Sequence, residues 1–153
     1  GGEGDEMKII LVEDVKNRGK ADDVITIAAG YGNYLIKNNK AVLATEENLA
    51  KLEEKLAEIR KKEQQHIDLI KALKKEIDTK SVMISIQVGH DGKMFGSVTT
   101  KQIVEAFEEQ NQIVLDRKKV SIVGNISSVG IYTAVVNLYK DINAQFEVHV
   151  VEK

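Results

Sequence analysis

EENLAKLEEKLAEIRKKEQQHIDLIKALKKEID, residues 46–78, is the stretch that decides the architecture. Leu49, Leu52, Leu56, Ile59, Glu63, His66, Ile70, Leu73 and Ile77 recur at spacings of three and four, the period of a helix with one distinct face. Thr45 stands where an N-cap belongs, and Glu46 and Glu47 fall in the first turn, where the helix dipole favours carboxylates. Glu47 with Lys51 and Glu58 with Lys62 are i,i+4 pairs in the favourable order. At about 1.5 Å per residue the segment predicts a rod of roughly 48 Å. Its stripe is interrupted, because Arg60-Lys61-Lys62-Glu63-Gln64-Gln65-His66 contains no apolar residue to bury. A coiled-coil seam would have to carry Glu63 and His66. A solvated connecting helix, packed at its ends and held in its middle by charge pairs, fits better than a self-associating one. Residues 46–80 carry nine acidic and nine basic groups, which cancel.

On either side of this helix the period shortens. Lys8-Ile9-Ile10-Leu11-Val12, Val24-Ile25-Thr26-Ile27 and Ala41-Val42-Leu43-Ala44 read as three strands, with a turn and short helix at Ala29–Ile36. After the helix, Val82–Val88 alternates as a strand and His90-Asp91-Gly92-Lys93 is a turn. Thr99 and Gln102 form a Thr-x-x-Gln capping box for a helix over about Thr100–Gln110, with Ile103, Val104 and Phe107 as its buried face. Val120–Val123, Gly130–Val136 and Phe146–Val151 supply further strands, so the C-terminal part is a sheet backed by one helix. The whole is α+β. Residues 1–6 precede Met7 and contain only Gly, Glu and Asp; they are expected to be an expression remnant or flexible extension. The expected domains are 7–45, the helix 46–80, and 81–153.

Composition narrows the function. Across 153 residues there are 22 Lys+Arg, 24 Asp+Glu and no Cys, which removes disulfides, thiolate metal sites and cysteine nucleophiles. No apolar run is long enough to cross a bilayer and no signal peptide is legible, so a cytoplasmic protein without a membrane partner is expected. His66, His90 and His149 lie on three different elements and none has a ligand partner at metal spacing. Gly92-Lys93 lacks the rest of a phosphate-binding loop, and Gly89-His90-Asp91-Gly92 follows a strand where an RNA-clamping Gly-x-x-Gly loop joins two helices. Adjacent carboxylates such as Glu53-Glu54 point apart on a helix. No nucleophile, base and orienting group assemble, and neither an enzyme, a small-molecule substrate nor a cofactor is expected.

Two patches remain. The segment 7–45 carries six basic and four acidic groups, the one net-positive part of the chain. Its cations are Lys8, Lys16, Arg18, Lys20, Lys37 and Lys40, beside Tyr31, Asn33 and Tyr34. Basic loops next to planar rings suit RNA, with cations tracking phosphates, rings stacking on splayed bases and Asn reaching base edges. A lysine-rich turn over two core tyrosines accounts for the same pattern. The second patch is Lys93-Met94-Phe95-Gly96-Ser97-Val98-Thr99-Thr100-Lys101, with hydroxyls and amides at a helix N-terminus, a place for an anion or simply a set of caps.

Met7-Lys8-Ile9-Ile10-Leu11 running into Asp14-Val15-Lys16, then Gly30-Tyr31 with Asn33-Tyr34-Leu35, then Ala41-Val42 and Ala44-Thr45 opening the charged helix, resemble the bacterial large-subunit ribosomal protein L-nine family. Gly92-Lys93-Met94-Phe95-Gly96-Ser97-Val98-Thr99-Thr100 resembles that family's most recognisable stretch, and the likeness spans Met7–Lys153. The resemblance implies a small three-stranded antiparallel N-terminal domain, a long exposed connecting helix and an α+β C-terminal domain. It implies a structural constituent of the large ribosomal subunit that binds large-subunit ribosomal RNA mainly through the N-terminal domain. The helix would hold the other domain away from the subunit, and the protein would support translational fidelity. By matching position, Lys8, Lys16, Arg18, Lys20, Tyr31, Asn33 and Tyr34 are the implied N-terminal contacts, and Lys93, Phe95, Ser97, Thr99 and Thr100 the C-terminal ones. Off the ribosome a monomer is expected. The chain departs from the family pattern at Ala21-Asp22-Asp23 after Lys20, at the single Gly32 between Gly30-Tyr31 and Asn33, and at Asn39, where Gly is usual. It also departs in the slight acidity of its C-terminal part. The acidic loop end predicts weaker phosphate contact. The alternative class is a two-domain protein–protein spacer without RNA binding.

Overall fold

The computed structural model describes residues 5–153; residues 1–4 of the expected extension lie outside the described residues. The rest of that stretch corrects the expectation. Glu6 opens strand β1 (Glu6–Leu11) and pairs with Ala28, and the Asp5 carbonyl accepts the Ala29 N–H at 2.6 Å. Ladder hydrogen bonds use the backbone alone, so this polar run extends a strand that its side chains do not announce. Helix α2 (Glu46–Ile77) is continuous, and the chain divides within it, between Glu63 and Gln64, into two compact units.

In the first unit, β1 lies between β2 (Val24–Ala28) and β3 (Ala41–Leu43), antiparallel to both. Alternation along β1 puts Met7, Ile9 and Leu11 on one face, where they pack with Ile27, Leu35 and Ala41 under α1 (Ala29–Lys37). Helix α1 can approach this closely because of Gly32: a Cβ there would overlap Met7 Sδ and lie 2.7 Å from Met7 Cγ and 3.2 Å from Ile27 Cγ2. The helix closes in a Schellman turn, with Lys40 N–H bonded to Leu35 O at 2.8 Å and Asn39 N–H to Ile36 O at 3.1 Å. Asn39 takes φ 60°, so the left-handed position where Gly was expected is met by Asn. On the other face of the sheet, Ile10, Val12 and Val42 line a groove with Asn48, Leu52 and Lys55 from the start of α2, and Ile10 is 4% exposed.

The expected cap of α2 is present: Asn48 N–H bonds Thr45 Oγ1 at 3.1 Å, and Lys51 pairs with Glu47 at 3.3 Å. The interrupted stripe has its expected consequence, since Ile77 is the one buried residue of the helix and Ile59 is 51% exposed.

In the second unit the strand order is β4 (Ser81–Ile86), β7 (Ile142–Glu152), β6 (Gly130–Tyr139), β5 (Val120–Ile122). β4 and β7 run parallel and the other pairs antiparallel. Helix α3 (Thr100–Asn111) supplies Ile103 and Phe107, and Phe107 meets Phe146 with ring centroids 4.4 Å apart. The predicted buried face holds, with Val104 half-buried. The free edge of β4 is covered by the end of α3: the Gln110 amide bonds both N–H and C=O of Met83 at 2.9 and 2.8 Å, and Asn111 bonds Ser81 O at 2.9 Å. β6 and β7 extend beyond the sequence expectation into one long hairpin. Its turn carries Lys140 at φ 49°, with Asn137 Nδ2 bonded to Lys140 O at 2.6 Å and to Asn143 Oδ1 at 2.9 Å.

The C-terminal end of α2 is tied to β7 by Asp78, whose carboxylate accepts Lys74 Nζ at 2.8 Å and Gln145 N–H at 2.9 Å. The Lys74 hydrogen bond, then that from Gln145, holds the Asp78 carboxyl below its ordinary value near 3.8. A depressed folded-state pKa contributes stability that is present above the ordinary value and lost as pH falls through the lower folded one. Chemical denaturation as a function of pH should therefore show wild type losing stability relative to Asp78→Asn as the medium is acidified below about pH 5. A constant gap would mean that the carboxylate contributes no such linkage.

Gly32→Ala has two opposed terms: a helix-propensity gain of about 1 kcal/mol and an overpacking cost of about 1–3 kcal/mol against Met7. We predict net destabilisation of about 1 kcal/mol. In a Met7→Ala background the same change should become stabilising, as read by thermal unfolding.

Candidate nucleic-acid interface

The loop between β1 and β2 folds on itself. Val15 and Gly19 exchange backbone hydrogen bonds at 2.9 and 3.1 Å, and Arg18 N–H bonds Val15 O at 3.0 Å. Asn17 sits at φ 64° in this turn, a conformation its short polar side chain tolerates. Lys16, Asn17 and Arg18 are thereby presented at an exposed tip. Gly19 is tight against Leu11 and Asp23, where a Cβ would lie 2.9 Å from Asp23 Oδ2.

The Arg18 guanidinium carbon lies 5.1 Å from the centroid of the Tyr31 ring, within cation–π range. Tyr31 and Tyr34, one turn apart on α1, stack with centroids 5.9 Å apart and planes 12° from parallel. Tyr31 is half-buried against the first core, while Tyr34 is 53% exposed. Asn33 and Lys37 are exposed on the same helix. One cation and two rings are thus brought together from segments well apart in the chain, a contact that no spacing in the sequence reveals.

The acidic residues of the loop are occupied locally. Asp14 Oδ1 accepts Ala21 N–H, Asp23 Oδ2 accepts Lys20 N–H, and Asp22 Oδ1 accepts Lys55 Nζ, each at 2.9 Å. Glu13 lies 3.9 Å from Lys40 Nζ. Among the described residues, Lys16, Arg18, Lys20 and Lys37 enter no ion pair. Lys55, on α2, is the participant that a reading confined to residues 7–45 misses. Two of the predicted cations stand apart from the cluster. Lys40 faces Glu13. Lys8 falls on the alternate face of β1, with Ile10 rather than with the face under α1.

The second predicted patch is a loop shaped by its own backbone. Gly89 N–H bonds Lys93 O at 2.8 Å, Lys93 N–H bonds Asp91 Oδ1 at 3.0 Å and Phe95 N–H bonds Gln87 O at 3.0 Å; Gly92 and Gly96 hold φ 77° and 76°. Thr99 is a cap: its hydroxyl oxygen accepts Gln102 N–H at 3.2 Å and its N–H bonds Gln102 Oε1 at 2.9 Å. Lys93, Phe95 and Ser97 are exposed, Phe95 at 67%, and Thr100 is half-buried in the first turn of α3.

His66 meets Tyr139 edge-on at 4.6 Å, and His149 Nε2 lies 3.8 Å from Glu147 Oε2. Among the described residues no group of three His, Asp or Glu could hold a metal, and no helix is long and apolar enough to cross a membrane.

The N-terminal unit thus combines a small three-stranded sheet, an exposed cationic turn and two stacked tyrosines, the architecture of a small α+β domain with a basic, ring-bearing surface. Residues 7–52 match the N-terminal domain model of ribosomal protein L9 and residues 68–152 match the C-terminal domain model. The chain is 40% identical over 148 residues to large ribosomal subunit protein bL9 of Staphylococcus haemolyticus, covering 96% of this chain and 100% of that protein. It is equally similar to the same protein of Staphylococcus aureus strain JH9. It is 42% identical over 147 residues to a membrane protein–large ribosomal subunit bL9 fusion protein of Onion yellows phytoplasma, where the match spans 96% of this chain and 17% of the fusion. The chain belongs to the ribosomal protein L9 family, a family of structural constituents of the large ribosomal subunit and not of enzymes.

Proposed function

We propose that this chain joins the large ribosomal subunit by binding its ribosomal RNA mainly through residues 7–45, and that it supports translational fidelity from there. Residues 46–80 act as the connector to the α+β domain of residues 81–153. The protein is cytoplasmic, and a monomer when off the ribosome. One observation carries this reading: Asp14, Asp22 and Asp23 are engaged by Ala21 N–H, Lys55 Nζ and Lys20 N–H, while Lys16, Arg18 and Lys20 present their charges at an exposed turn beside Tyr31 and Tyr34. The acidity after Lys20 therefore weighs less against phosphate contact than its sequence position suggests. Lys93, Phe95, Ser97 and Thr100 provide secondary contacts, with Thr99 retained as a cap. The kinship to proteins named large ribosomal subunit protein bL9 supports the same partner.

The test is titration of the full chain against large-subunit ribosomal RNA at two salt concentrations. Binding should weaken as salt rises, with a slope of about 0.7–0.9 per phosphate contact. Changing Lys16, Arg18 and Lys20 together to Ala should flatten that slope by about 2 and cut affinity. Lys93→Ala with Lys101→Ala should change it less. A larger loss from the second pair would move the RNA site to the C-terminal domain, and salt-independent or absent binding would favour a protein–protein spacer.

A further inference from the structure

The two tyrosines of α1 are alike in sequence and unlike in place. Tyr31 packs against the first core, as Met7, Val15, Ile25 and Ile36 also do, and the Arg18 guanidinium carbon lies 5.1 Å from its ring centroid. Tyr34 is 53% exposed and takes no part in that core. An exposed ring contributes little burial of its own, and its plane lies 12° from that of Tyr31. The Tyr34 main-chain oxygen is fixed, accepting Asn38 Nδ2 at 2.8 Å and Asn38 N–H at 3.1 Å, which anchors the helix end beneath it. Asn33 and Lys37, the immediate neighbour and the residue one turn on, are both exposed.

We infer that Tyr34 is the base-stacking residue of the chain and that its ligand is an unpaired nucleobase of structured RNA, with Tyr31 and Arg18 acting as positioning residues. This rests on the RNA-binding reading above and assigns roles within it. A base in a continuous duplex has both faces covered by its neighbours, whereas a bulged or looped-out base has a face to offer a ring. A base laid on Tyr34 is parallel to Tyr31 too. Lys37 is then placed for the adjoining phosphate and Asn33 for the base edge, which stacking alone does not discriminate.

The chain contains no Trp, so Tyr34→Trp installs a single reporter in the full-length protein. Titration with large-subunit ribosomal RNA should quench its fluorescence while affinity stays near wild type. Tyr34→Leu should lower affinity about 5- to 150-fold and leave the salt slope unchanged, because stacking releases no counterions. Tyr34→Phe should bind as wild type. Arg18→Lys, which keeps the charge and loses the planar guanidinium, should weaken binding at constant slope. Unchanged thermal unfolding in each variant separates these effects from misfolding. Two results overturn the stacking assignment and leave RNA binding standing, provided that the wild type binds with a normal salt slope. One is indole fluorescence of the Tyr34→Trp variant that RNA does not quench; the other is undiminished affinity of Tyr34→Leu. Loss of salt-dependent binding by the wild type itself overturns the RNA reading.

Discussion

The contact of Gly32 with Met7 sets the distance between α1 and β1, and the N-terminal surface follows from that distance. With no Cβ at residue 32, the helix settles on the Met7–Ile9–Leu11 face and buries Leu35. That placement leaves Tyr31 half in the core and Tyr34 outside it. It also brings the Val15–Gly19 turn, which grows from the end of β1, within reach of Tyr31 through Arg18. A helix lifted by even one methyl group would move its rings relative to a turn that is fixed by the strand. Packing in a core of a few residues thus has its main consequence at the surface.

Charge counting over residues 7–45 describes this surface poorly, and the reason is geometric. Six cations against four carboxylates suggests a modest excess. Three of those carboxylates instead accept hydrogen bonds at 2.9 Å, from two backbone N–H groups and from Lys55, which lies outside the segment counted. A carboxylate used to close a turn is still a negative charge, but it is held beside donors that offset it. The accessible cations at the tip are not offset in this way. The local potential at an exposed turn depends on which groups face solvent together, and net charge averages that away.

What is legible in the sequence is what obeys a period or a local cap. The stripe from Leu49 to Ile77 announces α2, Thr45 announces its start, and Thr99 with Gln102 announces α3; all depend on residues within a few positions of each other. The left-handed turn at Asn39 is legible for the same reason. The β6–β7 hairpin is less so, because its turn uses Lys140 at φ 49° instead of Gly, and the cost is met by Asn137 reaching across the turn. Glu6 in β1 is illegible because a polar residue at a strand's end joins the ladder through its backbone. Among the candidate site residues, composition identifies the cations and rings, while their pairing does not follow from it. Arg18 with Tyr31, Asp22 with Lys55 and Gln110 with Met83 are tertiary contacts, and nothing in the local pattern marks one lysine or tyrosine as the partner.

The long helix shows how a polar sequence can remain ordered with little burial. Its middle lacks apolar residues, so its order has to come from the intrinsic preference of Glu, Lys, Gln and Arg for the helix, and from charge pairs such as Arg60 with Glu53 at 2.9 Å. Exposed pairs contribute only tenths of a kcal/mol each, and nucleation remains costly. The ends supply what the middle does not. At the start, Thr45 caps the helix and Leu52 lines a groove with Ile10. At the finish, Ile77 is fully buried and Asp78 is bonded to Lys74 and Gln145. Each end is anchored by such contacts, and the residues between them need only be ones that do not resist the helix. A sequence free of Pro and Gly from Glu46 to Ile77 meets that condition, and the middle of the helix buries no residue, its ring contact being that of His66 with Tyr139.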